Sequence, residues 1–333
     1  MRFPLKQTLK VKNYISQQKK AGIKRFPLVL MLEPLFACNF SCSGCGRIKE
    51  YKGDMQKRLN LEASLKAVDE CKAPVISVCG GEPLIYREIG ELVEALLAKG
   101  KVTYLCTNGW SLKEKIDLFE PHPLFNINIH LDGLSKTHDA IVEKKGAFDR
   151  AIDGILAAKE RGFTVCTNTT IYKQTDIKEI VALFDMLEQV NVDGFLVSPG
   201  FDYQDVGNND FFLTREEIKQ KFQELKEYKV SKRIWSTPMF LDYLMGKREY
   251  NCTAWGNVTY NVRGWKAPCY LITDEHHPTY DSFINETPWD SYGHKNDKRC
   301  HNCMAHCGIE PTVALTVTNS IIDTMKIAWW TIF

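Results

Sequence analysis

The chain has no long apolar run. Nowhere do about 18 apolar residues follow one another without a charge, which excludes a membrane-spanning helix. Strong net charge is missing too: 43 Lys and Arg face 41 Asp and Glu, a net +2. No overall field points to a nucleic acid, and none is expected as a partner. Low-complexity tracts are absent, as is any internal repeat beyond the alternation described below. Residues 1–13 carry four basic side chains and no long apolar stretch, so a cleavable secretory signal is not expected. Nor does the composition call for disulfide staples. With 333 residues, 44% of them apolar and 25% charged, the chain can bury an ordinary globular core over about two domains.

Against these absences stand twelve cysteines, at positions 38, 42, 45, 71, 79, 106, 166, 252, 269, 300, 303 and 307. With no export signal the expected compartment is reducing, where clustered thiols more often bind metal than form disulfides. Eight of the twelve fall into two groups with short internal spacings, and this clustering is the most informative feature of the sequence.

Three segments follow from the pattern. Residues 1–26 are basic, with Lys6, Lys10, Lys12, Lys19, Lys20, Lys24 and Arg25 and no acid before Glu33. They read either as a solvated helix on the domain edge or as a surface attracting anionic lipid. Residues 27–230 alternate short β-branched runs with amphipathic ones. Strands are predicted at 28–33, 75–79, 102–106, 125–132, 163–171 and 195–198, and helices at 61–71, 85–99, 112–119, 147–161, 177–190 and 215–228. Six strands alternating with helices predict an α/β fold of parallel βα units, curled into a full or partial barrel with its chemistry at the C-terminal strand ends. Residues 231–333 lose helical periodicity and gain proline and tryptophan, which predicts a Cys-rich, loop-rich C-terminal extension.

The first group, Cys38-Asn39-Phe40-Ser41-Cys42-Ser43-Gly44-Cys45, directly follows the first predicted strand. Three thiols in eight residues must wrap a loop around one centre. A structural zinc takes four ligands. A four-iron cluster normally takes four thiolates, so three would leave one iron open to a ligand. Further on, Val78-Cys79-Gly80-Gly81-Glu82-Pro83 ends the second strand, Cys106-Thr107-Asn108-Gly109 the third, Asn128-Ile129-His130-Leu131-Asp132-Gly133 the fourth and Thr167-Asn168-Thr169 the fifth.

Over residues 28–230 this order of motifs resembles the radical S-adenosylmethionine (SAM) superfamily. The resemblance implies a partial (β/α)6 TIM-like barrel in which Cys38, Cys42 and Cys45 hold one 4Fe–4S cluster and SAM chelates its fourth iron. One electron then breaks the C5′–S bond, giving methionine and the 5′-deoxyadenosyl radical. Gly80, Gly81, Glu82, Asn108, His130 and Asn168 are the implied SAM contacts. Gly80 and Gly81 let backbone approach a ligand, and Glu82 reads equally as a structural turn carboxylate. Gly44 stands where the superfamily usually has an aromatic residue.

A narrower resemblance spans nearly the whole chain. Residues 27–36 before C-x3-C-S-G-C-G, Ser198-Pro199-Gly200-Phe201-x-Tyr203, Phe212-Leu213-Thr214-Arg215, residues 254–261 and Cys300-His301-Asn302-Cys303-Met304-Ala305-His306-Cys307-Gly308 resemble the adenosylhopane synthase family of hopanoid biosynthesis. What this implies is addition of the 5′-deoxyadenosyl radical to the terminal alkene of diploptene, leaving a tertiary carbon radical that must gain a hydrogen atom. It also implies an electron donor such as flavodoxin or ferredoxin. Three cysteines outside the groups end or nearly end strands: Cys79, Cys106 and Cys166. Alternation puts Cys106 on the face of Tyr104, immediately before Thr107-Asn108-Gly109, and Cys106 is the expected hydrogen-atom donor. A buried core cysteine is its competing reading.

The second group, Cys252, Cys269, Cys300, Cys303 and Cys307, resembles the auxiliary-cluster pattern of other radical SAM enzymes. It reads either as a second metal site or as a metal-free thiol-rich cap. The aromatic stretch from Trp235 to Trp265 reads as a hydrocarbon site or as plain core. The apolar tail from Ile321, with Trp329 and Trp330, reads as a docked helix or as a contact with the inner membrane leaflet of a cytoplasmic enzyme. Two other readings stay open: a radical SAM enzyme acting on another terpenoid or a peptide, and a zinc or iron–sulfur binding or sensing module.

Overall fold

The computed structural model describes residues 4–202, 206, 210–228 and 233–332. Tyr203 and the expected boundary at 230/231 lie outside the described residues. In chain order the elements begin with α1 (Leu5–Lys20), β1 (Val29–Glu33), α2 (Gly46–Glu50), α3 (Leu61–Cys71), β2 (Val75–Val78), α4 (Ile89–Ala98), β3 (Val102–Thr107) and α5 (Leu112–Lys115). Next come β4 (Phe125–His130), α6 (Ser135–Ile141), α7 (Ala147–Glu160), β5 (Thr164–Ile171), α8 (Ile177–Gln189), β6 (Gly194–Pro199), α9 (Arg215–Glu227) and α10 (Pro238–Leu244). The last are β7 (Asn257–Asn261), β8 (Gly264–Pro268), β9 (Thr273–His277), α11 (Tyr280–Glu286), α12 (His306–Thr316) and α13 (Ile321–Ile332).

One sheet runs β6-β5-β4-β3-β2-β1-β7-β8-β9. Strands β1 to β6 are parallel, as the βα alternation requires, so their C-terminal ends share one edge. Alternation along each strand then separates two faces. Leu30, Leu32, Ile76, Val78, Leu105, Ile127, Ile129, Val165 and Val197 join the main core with the helices. The intervening positions (Ser77, Tyr104, Cys106, Asn126, Asn128, His130 and Asn168) face the other way, and that inner wall is polar.

Local signals place the helices. Asn60 accepts from Ala63 N at 2.8 Å to start α3, Asp176 caps α8, and Thr214 with Glu217 forms a capping box on α9. The predicted helix at 85–99 starts later, at Ile89. Glu82 and Pro83 first close a tight turn, with the Glu82 side chain accepting from Leu84 N.

Two expectations are refined. The extension beyond residue 230 is more regular than a loop-rich segment. It adds β7 parallel to β1, an antiparallel β7–β8–β9 meander and four helices among the described residues. The aromatics from Trp235 to Trp265 lie in the core or pack against it. Trp265 is fully buried against Tyr260, Tyr280 and Phe283, and Trp235 is buried over Gly194. The basic segment is also more than an edge decoration. Buried Gln7 of α1 exchanges hydrogen bonds with Asn126 (3.1 and 3.2 Å) and donates to Pro123 O (3.2 Å), so α1 lies against the N-terminal end of the barrel wall.

Candidate active site

The loop after β1 is tied down from three sides. Gly81 N donates to Leu35 O (3.0 Å) and Glu82 N to Ala37 O (2.9 Å). Asn108, after β3, donates from Nδ2 to Asn39 Oδ1 at 2.7 Å. Ser43 N donates to Ile141 O (2.9 Å), and its hydroxyl to Glu143 Oε1 (2.9 Å), at the end of α6. Within this frame Cys38, Cys42 and Cys45 are each partly exposed. Phe40 N points at Cys38 Sγ (3.5 Å), and Cys38, Cys42 and Trp110 pack on the cluster of Phe40, Val142 and Ala147. Burial pushes the Cys38 thiol up to about 11 and Cys42 higher still, and the nearby thiols add to the rise.

Gly80 and Gly81 have a reason within the protein as well as the one expected. A Cβ on either would collide with the backbone oxygens of Leu35, Phe36 or Ala37. The glycines let the β2 end lie against the cysteine loop. Glu82 is equally committed. It is buried, and its carboxylate accepts from Leu84 N (2.9 Å), Thr107 Oγ1 (2.6 Å) and Asn108 N (2.8 Å). It is a strut joining the β2 and β3 ends, which in turn aim Asn108 at the cysteine loop.

Adjacent strands bring the remaining expected residues together. Cys106 is in register with Asn128, and Asn128 with Cys166; His130 is in register with Asn168. The Cys106 sulfur lies 3.1 Å from Ser77 Oγ and 3.6 Å from Asn128 Nδ2. Burial raises its pKa against those two hydrogen bonds, so it carries its proton at neutral pH. Cys166 and Cys79 are more deeply buried. His130 Nε2 sits 2.6 Å from Asp132 Oδ2, a carboxylate that also accepts from Thr170 N at 2.7 Å. Burial opposes charge on His130, but Asp132 outweighs it and holds the imidazole above its ordinary value.

Two groups escaped the sequence reading. Gly44 is buried beneath Tyr172 and Phe211, whose rings are 4.2 Å apart. The aromatic surface over this loop therefore comes from the segments after β5 and before α9. The second group is an ionic bridge. Arg47 pairs with fully buried Glu33 (2.8 Å), donates to Tyr270 O (2.7 Å) and stacks on the Tyr270 ring (3.9 Å). Buried Lys266 donates to the same carbonyl (3.0 Å) and to Glu50 (3.3 Å). Tyr270 follows Cys269, so this network links the two cysteine groups.

All five cysteines of the second group line one cavity, with Asn257, Tyr243 and Phe201. Cys252 Sγ lies where a side chain on Gly308 would stand. Burial raises each of these thiols, and neighbouring thiols of the group add to the rise for all five except Cys269. Among the described residues no three His, Cys, Asp or Glu side chains converge for a single metal ion. Three thiols on one loop, Cys38, Cys42 and Cys45, are a donor set that fits a four-iron cluster with one iron left open.

Comparison with known proteins places this geometry. Residues 32–187 match the radical SAM superfamily, and residues 195–327 match a domain described as "Domain of unknown function (DUF3463)". The chain is 31% identical over 160 residues to the Fe-coproporphyrin III synthase of Methanosarcina barkeri, covering 46% of this chain and 39% of that one. It is 29% identical over 158 residues to the GTP 3′,8-cyclase of Campylobacter fetus, covering 46% and 49%. The chain thus spans half or less of these relatives' length. In structure it is similar to Streptococcus suis SuiB bound to precursor peptide SuiA (TM-score 0.65, 16% identity, 93% of this chain and 76% of that one). It is also similar to anSMEcpe with bound AdoMet (TM-score 0.59, 15% identity, 92% and 100%).

Proposed function

Since residues 32–187 are a radical SAM domain, we propose that the chain is a radical SAM enzyme that adds the 5′-deoxyadenosyl group to the terminal alkene of diploptene. Cys38, Cys42 and Cys45 would hold a 4Fe–4S cluster, which with SAM bound would supply the electron needed to release this radical. The chain's own residues do the rest. Asn39 and Asn108 fix the cysteine loop, His130, held by Asp132, offers its imidazole to the SAM carboxylate, and Asn168 lies beside it.

The observation that carries the reading is the place of the Cys106 thiol: on the inner wall, bonded to Ser77 and Asn128, two residues before the Asn108 that holds the cysteine loop. Radical addition to the alkene CH2 forms one C–C bond and leaves a tertiary carbon radical. Cys106 then gives its hydrogen atom, so a C–H bond forms, an S–H bond breaks and a thiyl radical remains. One electron from a flavodoxin or ferredoxin and one proton restore the thiol. The asymmetric wall of Ser77 and Asn128 fixes the direction of delivery.

The second group is assigned a further iron–sulfur cluster, supported by five cysteines lining one cavity. Iron and sulfide content of the Cys38→Ala/Cys42→Ala/Cys45→Ala variant tests this. One cluster's worth should remain, and an iron-free protein would remove the assignment. Twelve free thiols suit a reducing, cytoplasmic setting.

A second reading has its own support. Apart from the groups given to SAM, the inner wall beside Cys106 carries Ser77 and Asn128, polar side chains that favour a polar or peptide substrate over a hydrocarbon. Anaerobic incubation with SAM, reductant and diploptene in D2O, followed by mass spectrometry of the lipid extract, separates the two. The diploptene reading expects an adenosyl–hopane adduct with one deuterium, because a thiol proton exchanges with solvent. Cys106→Ala should lose the adduct, or its single stereoisomer, while still forming 5′-deoxyadenosine. Unchanged diploptene beside 5′-deoxyadenosine would transfer support to the polar substrate.

A further inference from the structure

Helix α13 is only partly docked. Trp330 and Thr331 are buried, and Arg248 holds Asp323 with two bonds of 2.8 and 2.7 Å. The opposite side is apolar and open to solvent: Ile321 is 81% exposed, Ile322 and Trp329 63% each and Met325 59%. Ile322, Met325, Trp329 and Ile332 follow one another at three- and four-residue steps, so they form one stripe. Helix α1 touches α13, and Lys19 Nζ reaches Leu315 O at 3.0 Å at the end of α12. α1 adds exposed Leu5 and Leu9 and, with the residues just after it, exposed Lys6, Lys12, Lys20, Lys24 and Arg25. Among the described residues none of these cations has an ion pair.

We propose that the α1–α13 face is a docking surface for an anionic lipid bilayer. The apolar stripe of α13 enters the interface, and the unpaired cations of α1 face lipid phosphates. Tryptophan at the stripe suits the headgroup boundary. No helix among the described residues is long and apolar enough to cross a membrane, so α13 lies on the surface. A second copy of the chain fits worse. A twofold contact sets the same patch against itself and would bring two rows of unpaired cations together. The inference stands on this surface alone, whatever the substrate.

The test is flotation of the full chain with vesicles of phosphatidylcholine alone and of phosphatidylcholine with phosphatidylglycerol. Binding is expected only to the second, and added salt should weaken it. Near such a surface each lysine contributes roughly a fivefold gain in affinity. Lys6→Gln/Lys12→Gln/Lys20→Gln should therefore bind about a hundredfold more weakly. Ile322→Ser/Trp329→Ser should lose binding while keeping wild-type circular dichroism and iron content. The proposal fails if the full chain ignores anionic vesicles, or if both variants bind like wild type. It also fails if sedimentation finds a dimer that Ile322→Ser/Trp329→Ser breaks.

Discussion

Gly44 offers a sharp test of the site's architecture. A Cβ at this position would stand 2.6 Å from Tyr172 Oη, 2.9 Å from Phe211 Cε1 and 3.0 Å from Tyr172 Cε1. The first two are closer than real Cβ atoms come, and the third is tighter than nearly all of them. Tyr172 cannot simply swing away, because it is buried among Val206, Phe211 and Phe212. Overpacking of this kind costs about 1–3 kcal/mol, so Gly44→Ala should destabilise the chain by that amount. The larger aromatic common in the superfamily would need the space Tyr172 holds and should cost more. In a Tyr172→Ala background two of the three close atoms are gone and Phe211, half-exposed, can move. Adding Gly44→Ala there should cost less than about 0.5 kcal/mol, the ordinary error of additivity. Anaerobic guanidinium denaturation of the iron-free protein measures all four corners, with fluorescence and circular dichroism required to coincide. If Gly44→Ala equals wild type, or costs the same in both backgrounds, Tyr172 is not the group that demands glycine here.

Three further expectations follow from the buried polar groups. Arg47→Met leaves the Glu33 carboxylate buried without its cation and should cost about 3–5 kcal/mol, with partial recovery in Arg47→Met/Glu33→Leu; an equally unstable double variant would refute the pairing. Glu82→Gln replaces an acceptor that serves three donors and should cost about 1–3 kcal/mol in the same denaturation assay, whereas a neutral result would mean the strut is dispensable. Glu310 accepts from Thr237 N (2.8 Å) and Oγ1 (2.7 Å), and burial pushes its carboxyl from 4.5 up to about 7. The folded form holds this proton where the unfolded chain has lost it. The stability it contributes is complete below pH 4.5 and is lost as pH rises to 7, about 3 kcal/mol in all. Glu310→Gln should flatten that part of the pH–stability curve, and an unchanged slope would reject Glu310 as its source.

The parts of the site legible in the sequence are those that a short segment specifies. A parallel βα repeat brings every C-terminal strand end to one edge, so Cys38, Asn108, His130 and Asn168 could be gathered from motif order alone. Strand alternation likewise put Cys106 on the inner wall with Tyr104. The rest depends on contacts that no spacing announces. Arg47 meets Tyr270 across 223 residues, and Tyr172 covers Gly44 across a gap with no periodicity. The sequence does not say that Gly81 lies against the backbone of Phe36 and Ala37, because a glycine records that something comes close without recording what. The strand β7 was a different kind of miss. Asn257-Val258-Thr259-Tyr260-Asn261 alternates polar and apolar residues, a two-residue period that the surrounding prolines and tryptophans hid. Once β7 pairs with β1, Asn261 reaches Glu33 at 3.1 Å and Lys266 comes beside Glu50. The extension is therefore the wall that carries the second cysteine group to the buried Arg47 bridge. Cutting the chain near residue 230 should expose the β1 edge and take Asn261 from Glu33 and Tyr270 from Arg47, so it is not expected to leave a stable barrel.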